Sequence, residues 1–238
     1  MTGAIVSGRK SSRAWHESLL ARAKPTRTRI KDRVAAILAR HELVAAYSYF
    51  VEHNPGNDQP YHNRYHTDCM ILNCAAGAAD MRLAPEETRI LLLSAIFHDF
   101  GHSGGKYQDD HNIEVALEGL TAYCGSSESL RGYLTEAVEL VKSTRFPYVT
   151  EPQTLSQKII RDADQMQMYM PGWKKQIFTG MRKEIEIASG KELTLSDMIR
   201  IQLKFMAEVQ WQTAWAQERA KNQWGGLMEK VKSLAVEG

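Results

Sequence analysis

Along most of this chain apolar residues recur at intervals of three and four, the period of an α-helix, and strand-like alternation bounded by hairpin turn signals is scarce. The pattern predicts an all-α fold with helices over roughly 12–23, 28–53, 62–81, 85–99, 110–124, 127–143, 154–169, 171–188 and 195–223. Pro85 followed by Glu86 and Glu87 is a helix start: proline suits the first turn, and acidic side chains favour the positive end of the helix dipole. The stretch that follows, Ile90 to Phe97, is apolar almost all round, so that helix should be central and buried. Its end delivers His98 and Asp99. Two irregular stretches, HNPGNDQP at 53–60 and GHSGGKYQDD at 101–110, flank chemistry-bearing residues, and loops on a helical frame often carry function. Phe205, Trp211, Trp215 and Trp224 recur at helical spacings and read as core.

At 238 residues the chain is long enough for one substantial core and shows no internal repeat or linker that would split it. The expected organisation is a basic arm over 1–27, a single domain over 28–225 and a tail over 226–238. A hydrophobic fraction of 43% and a charged fraction of 24% are those of a globular protein and argue against disorder. The three cysteines, Cys69, Cys74 and Cys124, form neither a disulfide framework nor a CxxC metal pair, which suits reduced thiols and a cytoplasmic setting. No apolar run is long enough for a membrane span, and no export signal is read at the N-terminus. The net charge of +2 hides a basic first forty residues, where Arg9, Lys10, Arg13, Arg22, Lys24, Arg27, Arg29, Lys31, Arg33 and Arg40 face only Glu17 and Asp32. With no interleaved aromatics, this reads as a solvated helix face ahead of a nucleic-acid contact. Homo-oligomerisation is left open.

Three segments concentrate chemistry. Tyr61-His62-Asn63-Arg64-Tyr65-His66 sets two histidines four apart, which on a helix would place both on one face. His98-Asp99-Phe100-Gly101-His102 puts a charged dyad at the end of a buried helix, where an unpaired carboxylate is costly. Ile159-Ile160-Arg161-Asp162-Ala163-Asp164 sets acids against an apolar stripe. A divalent ion such as zinc, manganese, magnesium or iron would resolve all three placements, and a bridging carboxylate would admit a second ion.

Together these motifs resemble the HD-domain metal phosphohydrolases, and among them the class I cyclic nucleotide phosphodiesterases. The fold implied is an HD/PDEase-like helical bundle with a metal centre at the helix ends. The resemblance implies His66, His98, Asp99 and Asp164 as ligands of the first of two divalent ions, with Asp99 bridging. PYHNRYH at 60–66 is similar to the phosphodiesterase Tyr-His-Asn-x-x-His signature, which makes His62 the general acid. HDFGH at 98–102 is similar to the His-Asp-x-x-His signature and places His102 near the attacking water. Thr144 falls in the family's Thr-bearing helix; Asn63, Thr144 and Glu114 are the candidates for a supporting shell. Thr67, Asp68 and Cys69 depart from the signature, as does Gln165-Met166-Gln167 after Asp164.

The activity implied is hydrolysis of a phosphodiester in a cyclic nucleotide or similar small phosphoester by a metal-bridging hydroxide, with His62 protonating the departing oxygen. The competing expectations are an HD-type nucleotidase or nucleoside triphosphohydrolase, which need not use His62, and a non-catalytic nucleotide-sensing module. Base recognition is unassigned among Gln210, Gln212 and Gln217. Asp109, Asp110 and His111 read as a polar helix start.

Overall fold

The structure, a computed structural model, describes residues 27–234; the expected helix over 12–23 and most of the basic arm lie outside them. Among the described residues there are helices and turns and no strand. The helices are α1 (Arg27–Arg40), α2 (Val44–His53), α3 (Arg64–Asp80), α4 (Pro85–Phe97), α5 (Asp109–Ser126), α6 (Leu134–Ser143) and α7 (Leu155–Gln165). A nearly continuous segment follows: α8 (Trp173–Lys175), a π-helical stretch (Gln176–Met181) and α9 (Arg182–Ser189). Then come α10 (Leu195–Glu208) and α11 (Ala214–Ser233).

The centre is α3 against α4, with α1, α6 and α7 packed around them. In α4, Leu91, Leu92, Leu93, Ile96 and Phe97 are fully buried, each contributing about 1.5–3 kcal/mol of transfer free energy. A second apolar cluster joins Tyr61, Met168 and Ile177 to Met198, Ile199 and Met206 of α10 and Leu227 and Val231 of α11. The functional cluster described below spans the seam between these two cores.

Three expected elements differ. The helix expected over 28–53 is broken where Glu42 takes the left-handed region at φ 55° and Leu43 donates back to the Leu38 carbonyl at 2.9 Å, a helix-terminating turn that periodicity does not reveal. The helix expected over 195–223 is two, because Asp162 of α7 captures the intervening link. Its carboxylate accepts from Gln212 N (2.8 Å), Thr213 N (2.9 Å) and Thr213 Oγ1 (2.7 Å). The expected tail from 226 is instead helical through Ser233, since Leu227 and Val231 bury against the second core.

Candidate metal centre and the neighbouring histidine pair

Asn63 caps α3: its side-chain oxygen accepts from Tyr65 N (2.9 Å) and His66 N (3.3 Å), and its amide donates to the carbonyls of Gln59 and Pro60. This sets His66 in the first turn of α3 and leaves His62 outside the helix. The expected shared helix face of His62 and His66 is therefore corrected. Their rings do lie 5.6 Å apart, but tertiary contacts hold His62. His98 closes α4, where its Nδ1 donates to the Ala95 carbonyl at 2.9 Å. That bond commits the Nδ1 proton and turns the Nε2 lone pair inward. Asp164 ends α7 beside Ala163, whose carbonyl accepts from the buried Asn73 amide at 3.1 Å.

Four donor atoms converge. His66 Nε2 lies 3.2 Å from His98 Nε2, 3.2 Å from Asp99 Oδ2 and 3.2 Å from Asp164 Oδ1, and His98 Nε2 is 3.0 Å from Asp99 Oδ2. Two donors about 2.1 Å from one ion stand about 3.0 Å apart at right angles and about 3.4 Å apart in a tetrahedron, so the spacing is that of a coordination polyhedron. Asp99 Oδ2 is buried with no aligned hydrogen bond despite its two close nitrogens. Lone pairs facing one another in this way require positive charge between them. Within the protein alone, burial works against a charged His66, yet Asp164 and Asp99 outweigh it and push its pKa up to about 10. The two imidazoles are sealed, at 1% side-chain exposure each, whereas Asp99 and Asp164 keep 14% and 27%. The carboxylates thus form the open face. His66, His98 and Asp164 form a group able to hold an ion, with Asp99 at their edge; a divalent cation fits this donor set.

Beside it sits a second cluster of His62, His102 and Glu184. Glu184, on α9 and 3% exposed, was not singled out from the sequence. One oxygen accepts from Tyr61 N (2.7 Å) and His62 N (3.1 Å), and the other meets His62 Nδ1 at 2.5 Å. Burial disfavours the charged forms of both partners. The Asp99 charge and the Glu184 hydrogen bond nevertheless raise the His62 pKa, and the His62 contact lowers that of Glu184. Both shifts favour the imidazolium-carboxylate form of the pair. His62 stacks on His102 with ring centroids 3.6 Å apart. Burial and the His62 charge push the His102 pKa down to about 4, so His102 is neutral.

Close backbone approach builds this seam. A Cβ on Gly180 would stand 2.3 Å from the Pro60 carbonyl oxygen, and one on Gly105, at φ 91°, would stand 2.2 Å from the Glu184 carbonyl oxygen. Only glycine admits both contacts.

Residues 69–169 match the family model of the HD domain. The match begins after His66 and ends before Glu184, so one ligand candidate and the partner of His62 lie on either side of it. The fold is similar to the solved structure of LmjPDEB1 in complex with IBMX, with 14% sequence identity, a TM-score of 0.53 and coverage of 90% of this chain and 88% of that one. No curated protein matches the sequence. Together the family match and the likeness place the chain in the HD/PDEase-like helical fold.

The other expected residues separate clearly. Glu114 is exposed on α5, as is Glu118, so Glu114 is corrected as a supporting residue. Asn112 is the α5 residue that meets the cluster, its amide 3.1 Å from His102 Nε2 while its oxygen accepts from Ser103 N. Thr144 is buried at the end of α6, its hydroxyl donating to the Val141 carbonyl at 2.7 Å. Asp162 is spent on the α10–α11 link and is not among the converging ligands. Asp109 accepts from Phe146 N at 2.6 Å. Gln212 and Gln217 spend their amides on the Gln210 and Trp211 carbonyls, so local backbone bonds occupy them. Asn54 was also missed: its oxygen accepts from Gly56 N (2.9 Å) and Gly101 N (2.7 Å), tying the 53–60 loop to the turn carrying His102. An asparagine preceding Pro-Gly was the available signal. For Glu184 there was none, because its partner is 122 residues away.

Proposed function

We propose that this protein is a metal-dependent phosphodiesterase acting on a small nucleotide-type phosphodiester, in which His66, His98, Asp99 and Asp164 would hold divalent metal. The observation that carries this reading is the charged His62–Glu184 pair standing next to the converging donor set. When bound, divalent ions lower the pKa of water from 15.7 to about 7 in favourable sites and neutralise phosphoryl oxygens.

The chain's own residues supply the rest. Glu184 fixes His62 by two hydrogen bonds, with a third from Tyr61 N, and leaves Nε2 as the atom that gives its proton to the departing oxygen. General acid help of this kind is worth about 10²–10⁴ in rate. His102, neutral and stacked under His62, sets the plane of that ring without competing for the proton. The open carboxylate face admits a phosphoester, while the sealed imidazoles keep water from the floor of the site.

The test is a panel of cyclic mononucleotides, cyclic dinucleotides, an aryl phosphodiester and nucleoside mono- and triphosphates, assayed with zinc, manganese, magnesium and iron. Hydrolysis of diesters, lost in His62→Ala at unchanged metal content, is the expected result. Release of phosphate or triphosphate from nucleotides with the diesters untouched would select the nucleotidase reading. Tight binding without turnover would select a sensor.

A further inference from the structure

Outside the donor set, the segment Trp173–Ser189 forms one wall of a cavity of about 360 Å³ against the 53–60 loop. It is lined by Pro60, Lys175, Gln176, Phe178, Arg182 and Lys183 among others, and by none of the ligand candidates, His62, His102 or Glu184. Three cations therefore face it. The one carboxylate in the lining, Glu186, is engaged by Arg182 Nε and Leu193 N, each at 3.0 Å. Lys175 and Lys183 are exposed and make no ion pair among the described residues. Gln176 is only 5% exposed, and its buried Nε2 has no hydrogen-bond partner. A buried amide donor left unmade costs about 1–3 kcal/mol, and such groups in a native fold call for an explanation. Gln176 also opens the π-helical stretch, a conformation that is rare and recurs at functional sites.

We infer that this cavity is a second binding site, distinct from the metal centre, for a small molecule bearing a phosphate monoester. Lys175 and Lys183 supply exposed positive charge for the phosphate, and Arg182, paired with Glu186, supplies further N–H donors. Gln176, whose buried amide lacks a partner, lines the cavity, and Phe178 offers an apolar wall for the organic part. The cavity volume lies within the range of small-ligand pockets. Its wall is also the segment whose Gly180 touches Pro60 and whose Glu184 holds His62, so an occupant braces the element that positions the proposed acid.

The test reads binding, not turnover, and so stands apart from the proposed phosphodiesterase activity. Metal-loaded full-length protein is titrated calorimetrically with inorganic phosphate and with a nucleoside monophosphate, in the wild type, in Lys175→Glu/Lys183→Glu and in Gln176→Leu. Both lysines are exposed, so the charge-reversal variant keeps the fold, as a thermal melt checks. The expected result is a saturable anion site weakened at least about tenfold by charge reversal, weakened also by Gln176→Leu, with metal content unchanged. The nucleoside monophosphate binds at least as tightly as phosphate. Equal affinity in wild type and charge-reversal variant would overturn the inference, because all bound anion would then sit elsewhere, as at the metal centre. So would exclusion of the nucleoside monophosphate, or the absence of saturable phosphate binding.

Discussion

Replacing Glu184 by glutamine isolates one interaction. The variant keeps shape and retains an oxygen to accept from Tyr61 N and His62 N, but puts an amide where a carboxylate now meets His62 Nδ1 at 2.5 Å. Both partners are shielded, at 4% and 22% side-chain exposure. A hydrogen bond to a charged group in such a setting is worth about 1.5–3 kcal/mol. Its loss removes stabilisation from the charged imidazole and so lowers the His62 pKa. The other raising influence, Asp99, is one that bound cations neutralise; Glu184 is the part supplied by the protein. In the proposed role His62 acts when protonated, so activity is expected below its raised pKa and lost as pH rises through it. Glu184→Gln therefore moves the alkaline limb of kcat/KM to lower pH, with metal content unchanged. The loss should be large for an alkyl leaving group and small for a p-nitrophenyl one, which departs without protonation. An unmoved alkaline limb, or equal losses with both leaving groups, would refute the acid role of His62 and the purpose assigned to Glu184.

Other consequences are equally direct. Asp164→Ala removes one of four converging donors and should cut metal affinity at least tenfold, read by metal analysis after gel filtration; full occupancy at matched free metal would exclude Asp164 as a ligand. Asp162→Asn should leave metal content intact but destabilise by about 1–3 kcal/mol, because an amide nitrogen replaces one oxygen that accepts from the Thr213–Gln212 link. A denaturant melt measures this, and an undiminished midpoint would show the link is not held there. Gly180→Ala drives a Cβ to 2.3 Å from the Pro60 carbonyl and should cost about 1–3 kcal/mol while loosening the segment before His62. Wild-type stability together with wild-type activity would count against that close approach.

What the sequence by itself determined lies close together along the chain. The all-helical class follows from apolar periodicity, and the central α4 follows from an all-round apolar run behind Pro85. His98 and Asp99 stood out at the end of an apolar helix, where polar side chains need a reason to be, while His66 and Asp164 were singled out by the resemblance to the HD-domain signatures. Tertiary structure decided what depends on residues distant in the chain. The His62–His66 spacing suggested a shared helix face, but the Asn63 cap excludes His62 from α3 and Glu184 holds it from more than a hundred residues away. The break before α11 rests on Asp162, some fifty residues earlier. Glu114 and Asn112 are neighbours on α5, and only packing shows that Asn112 faces His102 while Glu114 meets solvent. Periodicity and capping are local energies that a sequence displays directly. The pairing of a buried carboxylate with an imidazole is a long-range desolvation problem, and only the assembled fold shows how this chain solves it.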